Sequence, residues 1–254
     1  MMGRTHALTG WCAGLAAAPL VGVATGAPQV VFAAVTAGFA LLPDLDHPGA
    51  TATRLLGWFT RSVSWLLRKS SARLYEATKG PRDERCTGTH RHLSHTVLFA
   101  FALGGAAAVG AAVGGPWVVL GVVALGLLLA AAVLGDWVLL AGLAGGGWMA
   151  AHTDAVAALA EVGGFLGAAV ALGCIVHDLG DAITEAGCPF LFPLLIAGET
   201  WYEIRPPRWL RFRTGKAFEQ MVVFPAFVVL AVWLAPGVAE TIRHVAFDWQ
   251  PSRV

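Results

Sequence analysis

Apolar residues run through this chain in long blocks, separated by short clusters of charge, histidine and proline. Blocks fall near 7–26, 28–43, 94–114, 116–134, 137–151, 156–177 and 219–236, several of them close to the ~20 residues that a helix needs to cross a bilayer core. The second and fifth are short, and the glycine run in the fifth ("WVLLAGLAGGGWMAA") weakens any helix. The pattern predicts an all-α, polytopic membrane helical bundle of about five to seven spans. The first block also has the outline of a signal peptide. His6 and Trp11 interrupt it and another block follows at once, so it is read as a retained span.

Residues 54–79 follow a different period. Arg54, Arg61 and Arg68 recur every seven residues on one helical face. Leu55, Phe59 and Leu66, with Leu56, Val63 and Leu67, fill the opposite side, and Trp58 and Trp65 stand nearby. This predicts an interfacial amphipathic helix with its apolar face in lipid and its cations near anionic headgroups. A solvated helix packed on the bundle is the other reading. A second polar segment, 178–216, reads as a loop, since Gly187, Pro189 and Pro193 end any helix there.

Composition agrees with the pattern. The 254 residues are 57% hydrophobic and 13% charged, against about 25% charged in a soluble domain. No repeat or long linker divides them, so 1–254 is read as one integral-membrane domain. Cys12, Cys86, Cys174 and Cys188 form no CxxC pair, which argues against a disulfide framework or a thiolate zinc site. Of 17 Lys and Arg, nine lie between Arg54 and Arg91, five between Arg205 and Lys216, and Arg4 stands alone near the start. The positive-inside rule places these segments in the cytoplasm. The tail carrying Arg243 and Arg253 then falls outside.

With that orientation the ionisable residues collect at one end. His6 opens the first span; Asp44, Asp46 and His47 in "PDLDHP" close the second; His90, His92 and His95 in "THRHLSHT" open the third; His177, Asp178 and Asp181 close the sixth. Such residues at bilayer depth are costly and usually face a bundle interior or mark function. Imidazoles with carboxylates suit zinc, manganese or iron(II). His177 and Asp181 are four apart and share a helix face. Taken singly, "DLD" is a helix cap or turn and His177–Asp181 a hydrogen-bonded pair. Together they predict a metal site, with His152 and His244 on the opposite side.

The same motifs resemble the YdjM family of inner-membrane proteins, which are expected to be metal-dependent hydrolases. The family's early His resembles His6 in "THALTG", its "LLPDxDHP" matches residues 41–48, and its "HRGxTHS" resembles residues 90–96. Its "HxxxDxxTxxG" matches His177, Asp181, Thr184 and Gly187, and its "TGS..E" resembles "TGKAFE" at 214–219. His92 stands where the family has Gly, and Lys216 replaces a small residue. The resemblance implies a multi-pass protein of the bacterial inner membrane. A fainter similarity to zinc-dependent phospholipases C is confined to the His-x-x-x-Asp pair in a helical setting.

The expected ligands are His6, Asp44, His47, His90, His95, His177 and Asp181, more than the three or four that one catalytic zinc needs. Two or more divalent ions, zinc first with manganese or iron as alternatives, are therefore expected. They would serve a hydrolase that cleaves a phosphoester by activated water. Asp46 is the expected general base or bridging carboxylate, and Arg213 the cation that steadies an anionic substrate. The expected partners are membrane lipids and a lipid-borne or phosphate-containing small molecule, with no nucleic acid. A metal transporter or sensor, and a non-catalytic scaffold, are the alternatives.

Overall fold

The computed structural model describes residues 1–55, 57–238 and 241. Leu56, Arg243, His244 and Arg253 therefore lie outside the described residues. Among the described residues the regular structure is helical, in eight α-helices: α1 (Gly3–Ala17), α2 (Ala27–Phe39), α3 (Thr51–Arg54), α4 (Trp58–Thr78), α5 (Val97–Leu134), α6 (Trp137–His152), α7 (Ala155–Ala182) and α8 (Phe224–Leu234). Three helical stretches among the described residues are long and apolar enough to cross a membrane: Ala27–Asp46, Val97–Leu134 and Ala155–Ala182. A shorter one, Glu219–Leu234, holds α8 and the π-helical turn before it.

The third and fourth apolar blocks meet in α5, which is not straight. Gly115 has φ 61° and ψ −149°, and Pro116 follows it. That left-handed φ suits glycine, and proline cannot continue the hydrogen-bond ladder across it. Gly3 of α1 lies against Val133 near the C-terminus of α5, while Thr96 caps its N-terminus beside the polar cluster. The element therefore folds back at Gly115, and both ends lie on one side of the bundle. The fifth block forms α6 despite its glycines, a 16-residue helix with most residues exposed.

Helix α2 is the hub. Its Phe32, Val35 and Phe39 pack with Phe165, Leu166, Ala169 and Val170 of α7 and with Val119 of α5. Small residues let the backbones touch, as is usual where lipid supplies no hydrophobic drive between helices. A Cβ added at Gly173 of α7 would lie 2.6 Å from Thr36 O of α2. Gly104 of α5 and Gly167 of α7 face each other, and a Cβ on either would stand within 2.6 Å of the other's carbonyl. Outward, Phe101, Val113 and Trp117 of α5, Leu143 of α6 and Val229 of α8 are exposed, an apolar surface that suits lipid.

At the polar end the chain leaves regular helix. Pro43 halts α2, and Pro43–Asp46 form one 3₁₀ turn. Helix α4 covers this end and buries a narrow stripe, Thr60, Ser64, Ser71 and Tyr75. The predicted apolar face divides: Leu55 and Leu67 pack inward, while Phe59, Val63 and Leu66 stay exposed beside Trp58 and Trp65. The loop expected over 178–216 starts later, because α7 continues to Ala182; residues 183–216 are irregular apart from one 3₁₀ turn, pinned by Trp201, which stacks on Phe192 at 3.8 Å and lies against Tyr75. Glu219 follows it, buried, accepting hydrogen bonds from the backbone N–H of Met2 and Gly215, both at 2.7 Å.

Candidate metal centre

Four separate elements bring His6, Asp44, His95, His177 and Asp181 together. His6 lies one turn into α1, Asp44 in the turn that Pro43 forces, His95 in the turn before α5, and His177 and Asp181 in the last two turns of α7. All but Asp44 are essentially excluded from solvent. Their atoms converge on Asp181 Oδ2: His95 Nε2 stands 3.5 Å from it and His177 Nε2 3.7 Å, with 3.2 Å between the two nitrogens. Asp44 Oδ1 is 3.8 Å from His177 Nε2 on the outer side. On the inner side His6 Nε2 is 3.2 Å from Asp181 Oδ1, and its ring stacks on His177 at 3.8 Å. Gly180 makes room for that ring; a Cβ there would sit 3.3 Å from His6 Cε1 and 2.2 Å from Met1 Cε.

Following the protons shows what this arrangement lacks. His177 Nδ1 lies 2.8 Å from Ala40 O, a carbonyl that can only accept, so Nδ1 carries the hydrogen and Nε2 the lone pair. Ser94 Oγ donates to Asp46 Oδ2 at 2.8 Å, so its 3.2 Å contact with His95 Nδ1 is one that the ring donates. His95 Nε2 therefore also faces inward as a lone pair unless a proton sits on it. Two such nitrogens 3.2 Å apart repel unless a cation lies between them. Burial alone would lower the His95 pKa, but the carboxylates of Asp46 and Asp181 outweigh it and raise it to about 10.

Asp46 is an organiser. It is buried, and its oxygens accept from His90 Nδ1 (2.6 Å), the Arg91 backbone N–H (2.9 Å) and Ser94 Oγ, with His95 Nδ1 3.4 Å away. One carboxylate thus fixes the whole 90–95 turn. His90 stands outside the cluster on Asp46, and His47, exposed, meets the His90 ring edge-on at 4.8 Å. His92 faces away into a nest of Tyr75 and Trp201, where burial lowers its pKa. Arg213 lies apart, 70% exposed and paired with Glu185 at 2.9 Å. Asp178 is buried with neither carboxylate oxygen hydrogen-bonded.

Arg91 is the residue that sequence reasoning missed. Its Nη2 is 2.9 Å from Asp181 Oδ2, and its Nη1 reaches Thr184 Oγ1 and Gly187 O at 3.3 and 3.4 Å. The signal was a lone cation between His90 and His92. Its direction depends on a left-handed backbone, φ 55°, that no spacing reveals. The N-terminal amine of Met1 also meets Asp181 Oδ1.

A divalent cation fits this donor set. Tetrahedral bonds of 2.0–2.2 Å put neighbouring ligand atoms about 3.3–3.6 Å apart, and the His95–His177–Asp181 triangle measures 3.2, 3.5 and 3.7 Å. Two further triads can be drawn among the described residues, His6–His177–Asp181 and Asp44–His95–His177. They share His177, which has one free nitrogen. His6 Nδ1 is buried without a partner, a state that normally costs about 1–3 kcal/mol, while Asp181 Oδ2 is met by Arg91 and His6 Nε2 by Asp181 Oδ1. No curated protein and no solved structure matches the chain. A family model described as YdjM inner membrane protein matches residues 1–247. With nearly its whole length inside that match, the chain belongs to the YdjM family of inner membrane proteins.

Proposed function

We propose that this inner membrane protein is a metal-dependent hydrolase, cleaving a phosphoester in a membrane-associated substrate, with its site facing the cytoplasm. The observation that carries the reading is the pair of inward-facing nitrogens, His95 Nε2 and His177 Nε2, 3.2 Å apart beside Asp181. His95, His177 and Asp181 would hold the ion, with His6 and Asp44 on either side. Zinc suits the donors best, with manganese or iron(II) as substitutes. A bound ion of this kind supplies Lewis acidity and a water acidic enough to ionise near neutral pH.

The chain's own residues do the rest. Ala40 O and Asp46 fix the imidazole tautomers from behind, the arrangement that ligating histidines generally need. Asp46 has its oxygens committed to three donors, so Asp44, the cluster's half-open carboxylate, is better placed to take a proton from an attacking water. Burial of His6, His95 and His177 keeps bulk water from the inner side. Helix α4, with Trp58, Phe59, Trp65 and Leu66 exposed beside basic residues, would lie in the headgroup layer near the site.

Metal analysis of detergent-purified protein tests this, wild type beside His177→Ala and Asp181→Asn. Stoichiometric metal in the wild type, lost in both variants, is the expected result; a metal-free wild type purified with zinc present would sink it. Turnover of lipid extracts by the loaded wild type then separates an enzyme from a metal carrier.

A further inference from the structure

We infer that Arg91 has two alternative partners: Asp181 when no divalent cation is bound, and a phosphate oxygen of the substrate when one is. This rests on the metal reading above and adds the residue that recognises the substrate's anionic group.

The first argument is position. Arg91 Nη2 sits 2.9 Å from Asp181 Oδ2, the oxygen on which His95 and His177 converge. A guanidinium there neutralises the carboxylate in the metal-free state. It also competes with a metal for that oxygen, since two cations at one oxygen repel. The second is the rest of the guanidinium. Nη1 holds only neutral acceptors at 3.3 and 3.4 Å, so a charged oxyanion would outbid them. The backbone, by contrast, is fixed by the Asp46 hydrogen bond at 2.9 Å, which leaves the side chain as the moving part.

The third argument is access. Arg91 is 19% exposed and, with His90, lines a cavity of about 210 Å³ walled by Tyr75, Trp201, Cys86 and Glu203. Pockets for drug-sized ligands start near 300 Å³, so this one takes a headgroup and leaves any acyl chain outside. Arg91 thus stands between the cavity and the ligand set. The planar, two-pronged guanidinium suits a phosphate that also faces a metal. Arg205, outside the lining, is held by Glu203.

The two roles make Arg91→Gln move two measurements in opposite directions. Micromolar zinc is titrated against a competing chelator, with and without methylphosphonate, a phosphate mimic with no ester to cleave. Without the mimic, Arg91→Gln should bind zinc more tightly than wild type, by about 3–10-fold, because a competing charge has gone. In wild type the mimic should tighten zinc retention, by the reciprocity of coupled sites, and in Arg91→Gln that gain should vanish. Arg91→Lys, keeping one prong, should fall between. Weaker zinc binding by Arg91→Gln would make the residue a mere brace and overturn the proposal. So would a mimic response in the variant equal to that of wild type, or a wild type that responds neither to methylphosphonate nor to phosphatidic acid in nanodiscs. Repeating the titration in nanodiscs with phosphatidic acid assigns the source: coupling only there means a lipid phosphate, and coupling with methylphosphonate means a soluble one will do. A wild type that binds no zinc overturns the metal reading itself, an outcome distinct from zinc bound without coupling.

Discussion

Replacing Asp46 with Asn separates positioning from ligation. Asp46 accepts from His90 Nδ1 at 2.6 Å, Ser94 Oγ at 2.8 Å and Arg91 N at 2.9 Å, and lies 3.4 Å from His95 Nδ1. An amide keeps one oxygen; with its NH₂ at the Oδ2 position, the hydrogen bonds from Arg91 N and Ser94 Oγ both lose their acceptor. Hydrogen bonds to a charged group contribute about 1.5–3 kcal/mol each, giving a ceiling of about 3–6 kcal/mol. Ser94 can rotate to accept from the new amide, and part of the remainder falls on the metal-free protein. What reaches the metal is the looser aim of His95. Losses at partners behind metal ligands run 10–100-fold in affinity, or about 1.4–2.7 kcal/mol at 1.4 kcal/mol per tenfold, which fits under the ceiling. Chelator competition in detergent should therefore show zinc affinity reduced 10–100-fold in Asp46→Asn, with zinc still bound. Unchanged affinity with turnover abolished would make Asp46 a base, and metal lost as fully as in His177→Ala would make it a ligand; either result refutes the positioning argument.

A cation bound as proposed would compete with a proton for His95, whose pKa is raised to about 10 by Asp46 and Asp181 against the effect of burial. Zinc affinity should thus climb with pH below that value, by up to about tenfold per unit for one proton, and calorimetry in two buffers of different ionisation heat should register its release. In Gly180→Ala the new Cβ meets Met1 Cε, a flexible end, and then His6 Cε1 at 3.3 Å; zinc should bind severalfold more weakly while thermal stability shifts little. Gly173→Ala instead drives a Cβ to 2.6 Å from the Thr36 carbonyl, and overpacking of about 1–3 kcal/mol should lower the melting temperature. Cys86 is exposed while Cys12, Cys174 and Cys188 are buried, so an impermeant maleimide should label wild type in inverted vesicles and not in intact cells. Labelling from outside would reverse the orientation.

Blocks of apolar residues foretold the helices well because length and hydropathy alone decide what lipid accepts. The convergence of His6, Asp44, His95, His177 and Asp181 was legible for a related reason: ionisable residues at the same ends of successive spans must meet. Finer placement was not. His90 and His47 share motifs with residues of the cluster, yet Asp46 holds the first outside it and the second stands behind that. Spacing could not tell these apart, because the 3₁₀ turns at 43–46 and 93–95 set which nitrogen points inward. Arg213 and Arg91 look alike as letters; a salt bridge to Glu185 takes one away, and a left-handed residue aims the other at Asp181.

The site's precision comes from backbone contact as much as from its ligands. His177 is aimed by Ala40 O, the carbonyl just past the end of α2. That carbonyl is within reach only because Gly173, one turn earlier in α7, lets α7 touch α2 at Thr36 and Ala40. A side chain at 173 would push the helices apart where the histidine needs its partner. The same glycine thus serves packing and chemistry, in an environment where neighbouring helices gain little from burying apolar surface and depend on close contact. Metal affinity and thermal stability should consequently fall together in Gly173→Ala but separate in Gly180→Ala, whose added methyl meets only side chains. The centre is therefore better described as a product of how α1, α2 and α7 pack than as a set of ligands grafted onto a finished bundle.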